Sequence, residues 1–376
     1  MSLRIIKAGI LDTIQDCGRY GNQHLGINPT GAMDKYAMQV TNILAGNKPG
    51  EAVIEMHFPA SIFMFTQPAL IALGGADFSA SINGEPVSHL HAIIVGKNDV
   101  LQFHKPVNGA RAYLAVAGGL AIDKWMSSFS THLKAKAGGY KGRNLQKDDE
   151  LYFRMSFSFS VKQNDFTILP WQADTKWIDE TKEVLVLPGN EWERLTTESK
   201  ENFTMTSFVI TQQSDRMGYR LNNIPLPVMT NEEVISSGVS FGTIQLLPDG
   251  KLIILMADHQ TTGGYPKVAH VISAHHSRMA QMKAGDKIHF KLTDQQNSRR
   301  IIDKTAATFA ATAKCLYFQI RRILSCGQTL IVIWAKVSVM MNLSCRSLLQ
   351  PTLPVAIMPV IQPRCGRRLN WQLNIR

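Results

Sequence analysis

The first 298 residues contain a single cysteine, Cys17, whereas Cys315, Cys326, Cys345 and Cys365 all fall late in the 376-residue chain. One thiol cannot build a disulfide framework, so this body fits the reducing cytosol and a cytoplasmic location is expected. The amino terminus lacks a sustained apolar run; Met1 to Lys7 is patterned as a strand, and no secretory signal is expected. The longest apolar stretch of the tail, Leu330 to Leu343, is too short for a membrane span and is interrupted by Lys336. No P-loop is present, and the His and Cys spacings fit no zinc site. Acids are scarce only at the end. From Arg299 onward lie 12 of the 40 Lys and Arg but one of the 29 Asp and Glu, Asp303, which leaves 28 of each sign before it. The formal charge of +11 therefore belongs to the tail, and neither nucleic acid nor a membrane is expected as partner of the neutral body.

What the body does contain is short β-like runs. A chain of this length can hold two domains, each with its own core. The clearest helix starts at Asp34, the N-cap, because Ala37, Met38, Val40, Ile43 and Leu44 recur at helical spacing before Gly46-Asn47. From Ala52 to Phe153, apolar runs broken by Gly, Pro and Asn mark strands at Ser61 to Phe65, Ala69 to Leu73, Ala92 to Val95 and Ala112 to Val116. A polar connection, Gln163 to Lys182, leads to a second set at Val184 to Leu187, Phe208 to Thr211, Gly242 to Leu246, Leu252 to Met256 and Lys287 to Leu292. Such spacing predicts barrels or sandwiches, one over residues 1–160 and one over 161–295.

Polar chemistry concentrates in three places. Asp258-His259-Gln260-Thr261-Thr262-Gly263-Gly264-Tyr265-Pro266-Lys267 leaves the end of a predicted strand, and its Gly pair allows either a tight turn or close approach of backbone amides to a ligand. Ser214, Asp215, Arg216, Tyr219 and Arg220 surround Met217-Gly218; two arginines near one aspartate suit an anionic substrate, or a salt bridge across a hairpin. Near the amino terminus Gln15, Asp16, Arg19 and His24 precede Gly31-Ala32-Met33-Asp34. Arg19 can clamp an anion there or pair with Asp16 to fix the turn.

These separated motifs, in this order, resemble the carboxyltransferase-like family that includes the C subunit of bacterial ATP-dependent 5-oxoprolinase, allophanate hydrolase subunit 2, the Kip-inhibition antagonists and part of urea carboxylase. The resemblance runs from about Ile5 to about Lys291 and implies a mainly β chain of two cyclophilin-like barrels. It further implies ATP, partner subunits A and B, and opening of the 5-oxoproline lactam to glutamate. Arg19, Arg216 and Lys267 are then the expected catalytic cations, countering charge that develops on the lactam oxygen. Gln15, Asp16, His24, Ser214, Asp215, Tyr219, Asp258, Gln260, Thr261, Thr262, Gly263 and Gly264 are expected to bind substrate or nucleotide; no metal site is expected. Two other readings stay open: a biotin-dependent carboxyltransferase, which would need a biotinylated partner because the chain lacks Ala-Met-Lys-Met, and a regulator without turnover. The chain departs from the family at Ser127-Ser128-Phe129-Ser130-Thr131-His132, where relatives carry a pattern like Gly-Ser-Arg-Ser-Thr-Asp.

The tail, 296–376, lacks a lasting helical or strand period, and disorder is expected. Reading its codons one nucleotide upstream permits a coherent string from Leu330 to Arg364 that resembles the start of the A subunit of 5-oxoprolinase. The expectation is therefore a frameshift into a neighbouring gene, with everything beyond Gln296 dispensable.

Overall fold

The computed structural model describes residues 1–155, 157, 166–173, 183–230 and 233–326. The chain is mainly β, as its patterning predicts. In the amino-terminal half, Ser2–Lys7 lies between Ile62–Phe65 and Glu150–Tyr152 in one six-stranded sheet. A second six-stranded sheet runs Thr167–Gln172, His91–Val95, Ala69–Asp77, Asn108–Val116, Val53–Met56 and Thr13–Gln15. Leu3, Ile5, Phe63 and Phe65 from the first sheet and Ile54, Ile71, Ile93 and Leu114 from the second share one core, each on the inward side of its strand.

Thr167–Gln172 corrects the expected boundary at residue 160. It pairs antiparallel with His91–Val95, placing Ile168 opposite Ile93, so the first half continues to residue 172. Its β-branched and aromatic residues were hidden within a segment read as a polar linker.

The second half is built on an eight-stranded sheet whose two edges are Lys287–Ile288 and Phe290–Leu292. Only His289 separates these edge strands, so the sheet curls until its ends meet in a nearly closed barrel. Val186, Leu221, Ile244, Leu252, Ile254 and Val268 fill its interior.

Helix Lys35–Leu44 starts where expected: Asp34 accepts from the Ala37 amide at 2.9 Å. The helix packs so closely on the strand Ala69–Asp77 that a Cβ at Gly74 would come within 2.1 Å of Thr41 Oγ1. The two halves also share side chains. Met33, from the amino-terminal loop, is buried in the second core. Gln281 donates to Asp34 at 2.8 Å and accepts from the Ala110 and Arg111 amides at 3.0 and 3.1 Å.

The start of the expected disordered tail is instead helical, from Gln295 to Cys326. Asp294 caps it by accepting from the Asn297 amide at 2.7 Å, and its Ala-rich turns are good helix formers. Phe309, Ala313 and Leu316, at helical spacing, reach the cluster around Lys35–Leu44, and Phe309 meets Tyr36 edge to face at 5.2 Å. The expected out-of-frame remainder, 327–376, lies outside the described residues.

Candidate functional site

The loop 256–264 and the segment 214–220 lie side by side because the strand Gly218–Asn222 pairs with Leu252–Leu255. The register continues past the strand ends, with the Met256 amide donating to Met217 O and the Asp258 amide to Arg216 O. The amino-terminal loop closes over this junction: Asn28 Nδ2 donates to Asp258 O at 2.9 Å.

Arg216 is at the centre. Its Nε and Nη2 form a two-point bridge with Asp258 at 2.9 and 3.1 Å; Nη1 bonds Glu55, and Nη2 also donates to Gly31 O at 2.6 Å. Glu55, fully buried, further accepts from the Met33 amide at 2.7 Å and the Tyr113 hydroxyl at 2.9 Å. The two carboxylates raise the Arg216 pKa despite its burial. Its charge is thus met within the protein, and it joins three chain segments instead of presenting a free cation. Glu55 and Asn28 escaped the sequence reading. The available signal was a lone acid in the apolar strand Val53-Ile54-Glu55-Met56.

The other members of segment 214–220 shape the hairpin. Asp215 accepts from the Met217 and Gly218 amides, Ser214 Oγ accepts from the Arg220 amide at 3.0 Å, and Tyr219 is a core residue whose hydroxyl donates to Met282 O. His24 stands exposed on a short 3-10 turn, with no side-chain hydrogen bond or ion pair to another described residue.

Asp16 and Arg19 do not pair with each other. Asp16 accepts from Ser128 Oγ, Ser130 Oγ, the Phe129 amide and the Gly18 amide. The divergent segment 127–132 is therefore what holds the amino-terminal loop, since its hydroxyls match the carboxylate. Arg19 donates to Thr30 Oγ1 at 2.6 Å and to Ser130 O, stacks over Trp125 at 4.5 Å, and keeps a buried Nε without an acceptor among the described residues. Gln15 turns its amide nitrogen to Thr13 Oγ1 at 3.0 Å, and its buried Oε1 meets no donor among the described residues. His132 adds an Nδ1 with no partner among the described residues; burial lowers its pKa, Asp258 opposes this, and Arg19 and Arg216 add to it.

A second polar layer lies on the other face of the strand Thr243–Leu246. Ile244 and Leu246 enter the barrel core, so Thr243 and Gln245 point the opposite way. Strand pairing puts Gln245 opposite Lys267 and Thr243 opposite His270. The backbone of Gly263 covers Gln245 so closely that a Cβ there would approach the amide nitrogen to 2.4 Å, and a larger residue would displace the Gln245 amide. Thr262–Gly263 pairs with Ser237–Gly238 as a small ribbon. Gln260 Nε2 reaches Gln245 Oε1 at 3.5 Å, while Thr261 is half-buried and Thr262 and Gly264 are exposed. Lys267 is 3% exposed, and neither its Nζ nor Gln245 Nε2 meets an acceptor among the described residues. Two adjacent buried donors without acceptors suit a ligand that brings anionic or carbonyl oxygens. Burial also lowers the pKa of His270, opposite Thr243 in this layer, and of His259 in the adjoining loop.

Known proteins share this fold. The sequence pattern of the carboxyltransferase domain, subdomain A and B, matches residues 25–292. The chain is 34% identical over 288 residues to the 5-oxoprolinase C subunit of Escherichia coli, covering 77% of this chain and 90% of that protein. Against the 5-oxoprolinase C subunit of Haemophilus influenzae the identity is 33%, with the same shares. The crystal structure of the Kluyveromyces lactis urea amidolyase superposes with a TM-score of 0.75 at 24% identity, covering 83% of this chain and 20% of that one, a likeness of fold. Sequence pattern and overall identity agree, and the chain belongs to the family of the carboxyltransferase domain, subdomain A and B.

Proposed function

We propose that this chain is the C subunit of an ATP-dependent 5-oxoprolinase, acting with subunits A and B to convert 5-oxoproline to glutamate. The observation that carries this reading is the 34% identity extending over 90% of the Escherichia coli 5-oxoprolinase C subunit. The out-of-register reading of Leu330 to Arg364 adds a neighbouring gene for the A subunit; genomic sequence with that frame closed by stops would remove this support.

The buried donors fit the substrate class. 5-Oxoproline carries a carboxylate and a lactam carbonyl, both acceptors, and Lys267 Nζ with Gln245 Nε2 would satisfy one of them while satisfying themselves. Lys267 serves as the substrate-facing cation. Arg216 serves by fixing Asp258 and hence the approach of the Gln260 loop, a positioning role. ATP enters as co-substrate, its energy activating a stable amide.

Reconstitution of the full chain with its own A and B subunits, followed by ADP and glutamate release from 5-oxoproline, tests the proposal. Glutamate no higher than the background of A with B would remove it. A carboxyltransferase reading is favoured by 27% identity to the urea amidolyase of Lachancea kluyveri, of which this chain covers 17%. That reading requires turnover to depend on a biotinylated partner, and avidin inhibition distinguishes the two.

A further inference from the structure

Beside Trp125 lies an open groove of about 290 Å³ lined by Asp123, Lys124, Lys136, Lys141 and the backbone of Ala137 to Gly139 and Gly142. Three features set it apart. First, Lys124, Lys136 and Lys141 are exposed, and none has a carboxylate within ion-pair distance among the described residues. Against the one acid, Asp123, they leave a positive excess. Second, the successive amides of Gly138, Gly139, Tyr140 and Lys141 donate to nothing among the described residues, although their neighbours Ala137 and Gly142 do. Third, the backbone has positive φ at Lys136, Gly138, Gly139, Lys141 and Gly142, interrupted by Ala137 and Tyr140. Paired left-handed positions of this kind make a turn conformation of the class in which backbone N–H groups form anion-binding concavities. Two of the left-handed positions are lysines, which ordinary turns would fill with glycine.

We propose that this groove binds an oxyanion of the phosphoryl class carrying two or more negative charges. The free amides cradle its oxygens, and the three ammonium groups neutralise it from the rim. The groove borders the site already described: Trp125 carries the Arg19 guanidinium on its face, and a Cβ at Gly138 would lie 2.8 Å from Arg19 Nη2. An anion seated here would lie next to the loop that Asp16 and Ser130 hold in place.

The test is calorimetric titration of the purified full chain, without its partners, by inorganic phosphate, pyrophosphate and ATP. Its outcome is therefore separate from that of reconstitution. Pyrophosphate is expected to bind more tightly than phosphate. ATP equal to pyrophosphate identifies recognition of phosphoryl groups alone, whereas ATP tighter by about tenfold, or 1.4 kcal/mol, identifies a nucleotide site. The variant K124Q/K136N/K141N keeps the fold, since the side chains are exposed and asparagine tolerates left-handed backbone; a thermal melt verifies this. It is expected to weaken pyrophosphate binding at least about tenfold. Amide resonances of Gly138 to Lys141 are expected to shift on titration. Absence of pyrophosphate and ATP binding at millimolar concentration, undiminished binding by the triple variant, or resonance shifts confined to other loops would each overturn the proposal.

Discussion

Replacing Arg216 with methionine keeps the apolar stem and removes the guanidinium. The loss is large because of what stays behind. Glu55 is fully buried and Asp258 nearly so, and both then lie in the interior without their shared cation. Gly31 O loses its donor at the same time. Removing one partner of a buried ion pair costs about 3–5 kcal/mol, and at about 2 °C per kcal/mol for a body of this size the melting temperature should fall by about 6–10 °C. Differential scanning calorimetry measures this. The combination R216M/E55Q/D258N removes the stranded charges together and should recover part of the loss, a non-additivity expected of residues in contact. A single R216M variant melting within about 2 °C of the parent would refute the reasoning, because the buried carboxylates would then have found water or another partner.

Lys267→Met removes a buried amine with no acceptor among the described residues, so it should abolish turnover of the reconstituted complex while leaving the melting temperature unchanged or raised; a marked fall would show that Nζ is satisfied internally. Acid should destabilise the protein between pH 6.5 and about 4. His57, His275 and His276 are held down at about 4 by burial, so in this window the unfolded chain takes up three protons that the folded chain refuses. Asp12, raised to about 6 by burial, binds one proton in the folded state and opposes the trend, leaving stability to rise with pH; melting temperatures that climb on acidification would contradict this. Truncation at Asp294 should lower the melting temperature by uncovering Tyr36 and its neighbours, and Phe309→Ala alone should cost about 2–4 kcal/mol in urea unfolding, with no change in midpoint counting against the packed helix.

The strands were legible because each half buries one face of its sheets, and alternation around Leu3, Ile5, Ile244 and Leu246 survives in the sequence. Helix Lys35–Leu44 carried both its cap and its period. The helix from Gln295 was missed because its middle, Thr305 to Ala313, is alanine and threonine apart from Phe309, and these residues do not register as hydrophobic periodicity. At the site, sequence neighbours proved a poor guide to partners. Asp16 and Arg19 are three positions apart yet bond to different groups, while Arg216 bonds to residues 42 and 161 positions away. Buried ion pairs of high sequence separation leave only the faint mark of a charge in an apolar strand, as at Glu55. Lys267 was named from the sequence resemblance, but its burial beside a second donor, Gln245, became visible only in the strand register.

The bridge from Arg216 to Glu55 also dictates an order of events during synthesis. Glu55 leaves the ribosome 161 residues ahead of Arg216, which at about 5–20 residues per second is roughly 8–32 s of translation. Throughout that interval the first sheets can pair, but Glu55 has no cation and Met33 has no core to enter, because both belong to the second barrel. The early half must therefore wait in an incomplete form, with an apolar side chain exposed and a carboxylate kept at the water boundary. Its final state depends on the last third of the body, so a ribosome stall between residues 55 and 216 would release a species suited to aggregation or chaperone capture instead of an independent domain.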